Sequence, residues 1–374
     1  MNAKVAVAKC DSYESILVQQ AVRQSVDLIG GISSIVKRGS RVLIKPNLLM
    51  AKNPEAGITT HPEVIRAVIK LLKENNCRVM LGDSPSVWDR YSEKVDWVYE
   101  VTGVKKVCAE EDVELVKFDR RRWRRNKFPL AAILDECDCL VNVPKFKTHG
   151  LTILTGAIKN NFGLVAGSYK TELHKKYFRM EDLSRVIVDI FEEVTPCLNI
   201  VDGIMAMEGD GPGTSGKLRK IGLLFAGTDG VAVDSVLAKV MGIAPTDCLT
   251  TKEASRRGLG VSDLDSISIL GENLDNIIGK PFKIPSTSLL RRHIPEPVIN
   301  LARRLIKFYP CVEYDNCVKC ASCIKACPQK AISIKNGKVV IDHSGCIACF
   351  CCQEVCPEKA IKIKKSIFAK IIGL

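Results

Sequence analysis

The chain has 374 residues, of which 46% are hydrophobic and 26% are charged, and its formal net charge is +13. This composition is typical of a globular protein with a sizeable core. No apolar run approaches the roughly 18 residues that a membrane span needs, and Met1–Cys10 lacks the anatomy of a signal peptide. We therefore expect a cytoplasmic protein without a transmembrane segment.

Residues 1–270 alternate short apolar runs with amphipathic stretches, as in an α/β domain. The runs typical of strands are Lys4–Ala8, Arg41–Ile44, Arg78–Leu81, Leu140–Val143, Asn199–Val201, Ile221–Ala226 and Ser266–Ile269. The stretches with helical periodicity are Glu14–Ile29, Pro62–Glu74, Glu93–Val101, Glu181–Val194, Gly230–Met241 and Thr251–Arg257. Several strand candidates are almost continuously apolar, as in parallel sheets that are covered on both faces. The pattern predicts an α/β fold with an open parallel or mixed sheet and flanking helices.

Composition divides the chain into three parts. Residues 1–295 are the predicted α/β domain, and residues 311–374 are a second, cysteine-rich domain. Residues 296–310 are predicted to connect the two as a helix, since the apolar positions of Pro297–Tyr309 recur with helical spacing. A connector docked on the α/β domain is the favoured interpretation of this helix, and a membrane-surface helix is the alternative.

The cysteines indicate metal ligation. The chain contains 17, an odd number, and nine of them lie within residues 317–356. Without an export signal, this clustering is typical of metal ligands in a reducing compartment. Two runs of four cysteines that end in Cys-Pro repeat at a spacing of 29 residues, Cys317, Cys320, Cys323, Cys327 and Cys346, Cys349, Cys352, Cys356. This duplicated motif predicts a module with internal pseudo-two-fold symmetry.

The spacing within each run predicts a pair of [4Fe-4S] clusters. Three cysteines on one tight loop can bind three corners of a cluster, whereas the fourth lies too far round and ligates the cluster of the other repeat. One cluster is therefore assigned to Cys317, Cys320, Cys323 and Cys356, and the second to Cys346, Cys349, Cys352 and Cys327. Zinc is disfavoured, because zinc sites usually show separated Cys-x-x-Cys pairs. The additional Cys311 and Cys351 are predicted not to be ligands, and the remaining cysteines are assigned to packing.

Residues 312–363 resemble the bacterial two-cluster ferredoxins through these two motifs. The resemblance implies a small α+β ferredoxin-like domain with two pairs of strands and two short helices. It also implies that the clusters lie close enough together for fast electron transfer between them.

Polar side chains follow several predicted strands at their carboxyl ends, where open α/β sheets bind ligands. The candidate catalytic or binding residues are Lys45, Asn47, Asp83, Lys145, His149, Lys159, Asn160, Asp202 and Glu208, with Lys147 as a further cation. Lysines and the Gly-rich Glu208–Gly213 segment suit a carboxylate or phosphate. The carboxylates could also hold a divalent cation or exchange protons. Taken singly, each of these lysines is also typical of a solvated side chain, and each aspartate is also typical of a turn. The prediction of a site therefore depends on all of these residues occurring together.

Some of these motifs carry a second resemblance. The motifs are Lys45-Pro46-Asn47, Val143–Gly150, Gly156–Gly163, Asp202-Gly203 with Glu208-Gly209, and Asp229 with Asp234. Together they resemble the domain-of-unknown-function family numbered 362, whose members are often fused to a ferredoxin-like module. The resemblance covers most of residues 1–270. It implies the same division into domains and a site built from these motifs, and it supplies no established reaction.

A basic run, Arg120–Lys127, surrounds Trp123. The favoured interpretation is a solvated loop or hairpin. Docking of an acidic redox partner protein is the second interpretation. Nucleic-acid binding is disfavoured, although arginines beside an aromatic ring are compatible with it.

These features predict an iron–sulfur electron-transfer protein or oxidoreductase. Its two clusters would relay electrons to a redox partner protein or to an anionic small molecule at the strand ends. The alternative is a non-redox α/β enzyme or binding protein for a ligand that bears phosphate or carboxylate, with structural or sensing clusters. No Gly-x-Gly-x-x-Gly follows the first strand and no Walker-type loop is present, so a standard nucleotide site is not supported.

Overall fold

The computed structural model describes residues 3–85, 92–124, 127–167, 169–177, 179–285 and 308–366. The strands are β1 (Ala3–Lys9), β2 (Arg41–Pro46), β3 (Arg78–Leu81), β4 (Glu114–Leu115), β5 (Arg121–Arg124), β6 (Phe128–Ala131), β7 (Cys139–Val143), β8 (Lys145–His149), β9 (Ile153–Thr155), β10 (Leu198–Gly209), β11 (Gly216–Gly227), β12 (Ile267–Gly271), β13 (Phe308–Val312), β14 (Ile332–Lys335), β15 (Lys338–Ile341) and β16 (Ile361–Lys365).

The α-helices are α1 (Ser15–Leu28), α2 (Ile32–Ile35), α3 (Pro62–Glu74), α4 (Ser92–Val101), α5 (Val104–Glu110), α6 (Ala157–Asn160), α7 (Tyr169–Lys176), α8 (Met180–Val194), α9 (Gly230–Met241), α10 (Leu249–Arg256), α11 (Leu274–Ile277), α12 (Ser322–Ala326) and α13 (Cys351–Glu354). In the part of the chain just described, no helix combines the length and apolar character that crossing a bilayer requires.

A single mixed sheet of ten strands organises the α/β domain. Eight of its strands lie in the order β12-β1-β11-β10-β7-β2-β3-β4, while β8 pairs with β10 and β9 pairs with β8. The run from β10 through β7, β2 and β3 to β4 is parallel, and β11 is antiparallel to both β1 and β10. The predicted fold class is confirmed, and the sheet is the mixed variant.

Helices cover both faces of this sheet, which explains the continuous apolar strands. Val42 and Ile44 point into one hydrophobic core, and Leu43 between them points into another. All three side chains are fully buried. Since successive side chains of a strand face opposite sides, a strand that is covered on both faces must be apolar at every position.

Local signals set the ends of the longer helices. Pro62 opens α3, where a missing N–H costs nothing, and the His61 side chain accepts a hydrogen bond from Glu63 N. Asp229 caps α9 by accepting from Val231 N and Ala232 N, and Gly242 ends it in the left-handed conformation, with φ +75°. Both helices run over the residues that the sequence predicts.

Two features predicted for the α/β domain differ from the structure. The residues Lys145–His149 form strand β8 instead of a polar loop after a strand. Strands β10 and β11 each span 12 residues, so that Glu208 lies in a strand and not in a Gly-rich loop. Strand pairing explains both differences, because the C-terminal half of β10 pairs with β11 on one side and with β8 on the other.

The C-terminal module consists of two antiparallel strand pairs, β13–β16 and β14–β15, with the short helices α12 and α13. Left-handed backbone recurs at the 29-residue spacing of the cysteine motifs, at Lys319, Ala321 and Lys330, and at Ala348, Phe350 and Lys359. The strand β13 includes the last residues of the predicted connecting helix, Phe308 and Tyr309, which are therefore not helical. The rest of that predicted helix lies outside the described residues.

Candidate functional site

A pocket lies beyond the carboxyl ends of β2 and β3. It encloses about 740 Å³, part of it open to solvent. The predicted residues that line it are Lys45, Asn47, Asp83, His149, Lys159 and Asn160, and other polar residues of its wall are Lys147, Thr155, Lys170, His174 and Glu354. We call it the lysine pocket after Lys45, Lys147, Lys159 and Lys170.

One end of the lysine pocket is an ion pair between two strand ends. Lys45 Nζ lies 2.8 Å from Asp83 Oδ1, and both side chains are almost completely buried. The second carboxylate oxygen, Asp83 Oδ2, accepts a hydrogen bond from Leu48 N at 2.8 Å. Burial lowers the pKa of Lys45, and the Asp83 carboxylate opposes that shift. This pair adds no net charge and links the loops that follow β2 and β3.

A chain of asparagine amides fixes the orientation of Asn47. Asn142 Nδ2 donates to Ala157 O and to Asn199 Oδ1, each at 2.8 Å. The Asn142 oxygen therefore faces Asn160 Nδ2, and Asn160 Oδ1 accepts from Asn47 Nδ2, again at 2.8 Å. Among the described residues, this leaves Asn47 Oδ1 as a buried acceptor without a hydrogen-bond partner. Such an orphaned acceptor in a pocket indicates a place for a ligand donor.

Three lysines of the pocket have no carboxylate in salt-bridge contact among the described residues. Lys147 Nζ donates to Ile58 O at 2.5 Å, and Lys170 Nζ donates to Ser84 O. Lys159 Nζ lies 5.3 Å from the centre of the Phe162 ring and has no hydrogen-bond partner in the described part of the chain. Loss of hydration lowers the pKa of all three, that of Lys170 to about 7.

Two buried histidines stand among these cations. Burial, followed by the charge of Lys159, keeps the pKa of His149 well below its usual range and lowers that of His174 to about 3. Both imidazoles are therefore neutral at physiological pH. His149 Nδ1 accepts from Leu151 N at 3.1 Å, whereas His174 Nδ1 is buried and meets no hydrogen-bond partner in the part of the chain that the structure describes.

The C-terminal module supplies one wall of the lysine pocket. Glu354, at the end of α13, places Oε1 3.5 Å from His149 Nε2. The segment between β10 and β11 holds this helix in place: Gln353 Nε2 donates to Asp210 O at 3.0 Å, and Thr214 Oγ1 donates to Cys356 O at 2.7 Å. The cysteine-rich module and the sheet thus share one site.

Lys145 and Asp202 were predicted for the same site but form a separate buried cluster. Lys145 Nζ lies 2.8 Å from Asp202 Oδ2, and Tyr13 OH donates to Asp202 Oδ1 at 2.8 Å. The Tyr13 ring stacks on the His61 ring with their centres 3.7 Å apart. We call these four residues the Tyr13 cluster. Neither Lys145 nor Asp202 lines the lysine pocket.

The carboxylates named for a divalent cation are engaged with cations of the chain. Asp83 pairs with Lys45 and Asp202 pairs with Lys145, while Glu208 lies 3.1 Å from an arginine nitrogen of Arg219, away from the pocket. Within the described ranges, no group of three or more histidine, cysteine or acidic side chains is placed around a point that could take a single metal ion.

The structure brings together the cysteines that are predicted to hold the first cluster. A space of about 340 Å³, part of it open to solvent, is lined by Cys317, Cys320, Cys323 and Cys356, a set that takes three cysteines from one motif and the last from the other. Burial, followed by charges on Cys349, Cys346, Cys323 and Cys327, raises the pKa of Cys352 well above its usual value. Because Cys323 belongs to the first predicted group, this set does not separate the two groups, and the crosswise assignment stays a prediction.

Backbone amides point at the sulfur atoms. Ala331 N lies 3.2 Å from Cys327 Sγ and Ala360 N lies 3.2 Å from Cys356 Sγ, at equivalent positions of the two repeats. Such N–H donors stabilise thiolates and tune a cluster that the sulfurs hold. The donor set therefore fits iron–sulfur ligation.

Four residues of the basic run form strand β5, which pairs antiparallel with β6. Arg120 and Arg122 pair with Glu136 and Asp135 at 2.9 and 3.1 Å, while the Trp123 side chain is half exposed. Acidic neighbours thus offset part of the charge, which weakens the case for nucleic acid.

Sequence reasoning missed Lys170, His174, Thr155 and Glu354. Lys170 and His174 lie four residues apart, so α7 presents both on one face. This spacing could have indicated a shared site, but a helix with so many polar residues is usually interpreted as exposed to solvent. Glu354 gave no signal, because its place in the pocket depends on how the module docks.

We expect Gly163→Ala to destabilise the chain by about 1–3 kcal/mol, the usual cost of overpacking. A methyl group there would lie 2.4 Å from Asp83 Oδ1 and 2.5 Å from Lys45 Nζ, so the ion pair must shift. Urea unfolding measures the change. The control is Gly279→Ala, where no atom lies within 4 Å of the added methyl and the effect should stay within about 0.5 kcal/mol. Equal effects at both positions would contradict the packing described.

Comparison with known proteins gives two family matches. The model of a domain of unknown function, DUF362, matches residues 42–239, and that of a 4Fe-4S dicluster domain matches residues 309–357. A thylakoid-associated protein of Synechocystis sp. is 32% identical over 265 residues, which cover 69% of this chain and 81% of that protein. No solved structure matches the chain. The lysine pocket draws most of its wall from the first match and Glu354 from the second.

Proposed function

Since the chain belongs to the DUF362 family and carries a 4Fe-4S ferredoxin-type domain at residues 309–357, we propose that it is an oxidoreductase that passes electrons to an anionic small molecule in the lysine pocket. One observation carries this proposal. Helix α13 bears Cys351 and the predicted ligand Cys352, and the same helix ends in Glu354, which lines the pocket.

The proposal includes two clusters, held crosswise by the eight motif cysteines. A [4Fe-4S] cluster accepts and donates single electrons. Cys320 is exposed, which brings the first cysteine group to the surface, whereas Cys352 is buried in the helix beside the pocket. This placement supports electron entry from a partner protein at the first group and delivery from the second.

The lysine pocket contributes binding and positioning. Its ammonium groups attract an anion, and its neutral histidines and asparagine amides can orient one. Glu354 of the cysteine module and Pro212 of the sheet domain both line the pocket. The reaction would therefore take place where the two matched families meet.

We further propose a cytoplasmic or similarly reducing location. No disulfide joins any of the 17 cysteines, all of which lie in the described residues, as expected where the surroundings keep thiols reduced. The name of the relative in Synechocystis places that protein at the thylakoid, so fractionation of the native cell would test the location of this one.

Stepwise reduction of the anaerobic protein, followed by electron paramagnetic resonance, tests the redox proposal. We expect about two electrons per chain to be taken up and returned reversibly, one for each cluster. Clusters that cannot be reduced and reoxidised would overturn the proposal. They would instead favour a non-redox binding protein with structural clusters.

Lys159→Met tests whether the pocket lies close to the electron-carrying module. Loss of this ammonium beside α13 should make one of the two reductions harder by on the order of tens of millivolts. The exposed Lys252→Met is the matched control and should leave both potentials unchanged. If the two variants had identical reduction potentials, the pocket would not lie close to the clusters.

Gly213→Ala should loosen the contact between the module and the sheet. Its added methyl would lie 2.5 Å from Glu354 O, so α13 must move away from the pocket. We expect faster amide hydrogen exchange in α13 and β8 with an unchanged iron content. Gly345→Ala is the control within the module, because the nearest atom there lies 3.6 Å from the new methyl. Unchanged exchange in the first variant would argue against this docking contact.

A further inference from the structure

We infer that the lysine pocket takes a small dianion that also carries a hydrogen-bond donor, such as a phosphate monoester or a hydroxylated dicarboxylate, and that Lys159 binds its charged end. The inference rests on the proposed function, since it names the ligand class of the same site. It follows from the charges, the unpartnered atoms and the ring contacts of the described lining residues.

The charge balance of the pocket sets the charge of the ligand. The Lys45–Asp83 pair cancels, and the two histidines are neutral. Among the described lining residues, three lysines then face one carboxylate, Glu354, so that with all four groups ionised 3 − 1 leaves two positive charges. Because burial lowers the pKa of the three lysines, this full charge is reached with an anion bound. Unpaired charge is costly away from water. A ligand with two negative charges offsets this excess and keeps the lysines protonated.

Lys159 has an ammonium group that the described residues leave without a hydrogen bond or an ion pair, whereas Lys147 Nζ and Lys170 Nζ each donate to a backbone oxygen. Lys159 Nζ lies 5.3 Å from the centre of the Phe162 ring, and the centre of the His174 ring lies 5.5 Å from the same point. His174 is 6% exposed, and no described residue hydrogen-bonds its Nδ1. An anion beside Lys159 can therefore also meet this imidazole nitrogen, which donates when its tautomer allows.

The other end of the ligand must donate a hydrogen bond. The asparagine chain aims Nδ2 of Asn47 at Asn160, so Oδ1 of Asn47, which has no partner among the described residues, can only accept. Thr155 Oγ1 also lines the pocket, is only 2% exposed and has no partner in the described ranges, so it can accept or donate. A hydroxyl or amine on the ligand can supply the donor that Asn47 Oδ1 needs.

Ring contacts argue against a nucleotide. Phe162 lines the pocket, but Lys159 lies over its face, and the His174 ring meets it edge-on with the centres 5.5 Å apart. Phe162 therefore offers a nucleobase no free ring face for stacking. This arrangement favours a compact dianion over a nucleotide.

Calorimetric titration of the full, cluster-loaded chain under anaerobic conditions tests the inference. The probes are glycerol 3-phosphate, malate and, as a monoanion, acetate, all at constant ionic strength. We expect one dianion to bind at least about tenfold more tightly than acetate, which corresponds to about 1.4 kcal/mol. Lys159→Met should abolish this preference, and the exposed Lys252→Met should keep it.

The relative affinities of the three probes identify the class of ligand. Tighter binding of glycerol 3-phosphate identifies a phosphate ligand, and tighter binding of malate identifies a dicarboxylate. If neither dianion binds better than acetate, the inference is overturned. Should Lys159→Met fail to fold, Asn47→Asp tests the same pocket, because a carboxylate there should weaken dianion binding. Binding is measured without electron transfer, so the two proposals can fail separately. If a dianion binds but the clusters cannot be reduced, the proposed function is contradicted and the ligand class stands.

Discussion

Cys352→Ser should leave the chain with about half of its iron, about four atoms in place of about eight per chain. Cys352 is buried in the module core beside Ile332, Val339 and Cys323. A core this small contributes little stability by itself, so loss of a ligand should also expose the module to proteolysis. Iron and acid-labile sulfide analysis of anaerobic protein measures the effect.

Cys311→Ala is the matched control, because Cys311 lies in β13 outside both cysteine groups and should keep all of the iron. The last cysteines of the two motifs test the crosswise assignment. Cys356→Ser should remove the cluster of the first group, and Cys327→Ser that of the second. Full iron in Cys352→Ser, or the reverse pattern for Cys356 and Cys327, would refute the assignment.

Lys145→Met should lower the free energy of unfolding by about 3–5 kcal/mol, the usual cost of removing one partner from a buried ion pair. Asp202 is fully buried, and the donors that its carboxylate would keep among the described residues are Tyr13 OH and His61 N. Unfolding in urea gives the loss. Ligand binding in the lysine pocket should persist, since Lys145 does not line it.

Lys147→Met on the same strand is the control for this prediction. Lys147 is equally buried but has no carboxylate partner among the described residues, and its Nζ donates only to a backbone oxygen. Methionine there removes a desolvated charge, so stability should hold or rise while anion affinity falls. If both variants lose the same stability, the distinction between the Tyr13 cluster and the lysine pocket is wrong.

Much of the fold could be predicted from apolar patterning. Continuous apolar runs marked β2, β3 and β7 because both faces of those strands are covered, and caps bounded α3 and α9. The two family resemblances are confirmed by the matched models. Strand β8 was missed because its residues, Lys145–His149, are mostly polar and yet buried. Polar strands of this kind occur where a site replaces the apolar core.

The site was predictable only in part. Open α/β sheets bind ligands at the carboxyl ends of their strands, and this expectation placed six of the nine candidates at one pocket. It succeeded because it depends only on the direction in which each strand runs. Lys145, Asp202 and Glu208 lie elsewhere because side-chain direction and ion-pair partners arise from tertiary packing, which spacing along the chain does not encode. Glu354 joins the pocket from the far end of the sequence through the contacts of Gln353 and Thr214.

The position of Glu354 also bears on how such fusions can be engineered. A chimera in which an unrelated two-cluster ferredoxin replaces residues 308–366 could still accept electrons from a donor. It would lack the side chain that closes the cavity beside His149, and the graft would leave the ligand open to water on that side. Exchange of electron-carrying modules among such fusions is therefore constrained by the shape of the module as well as by its potential.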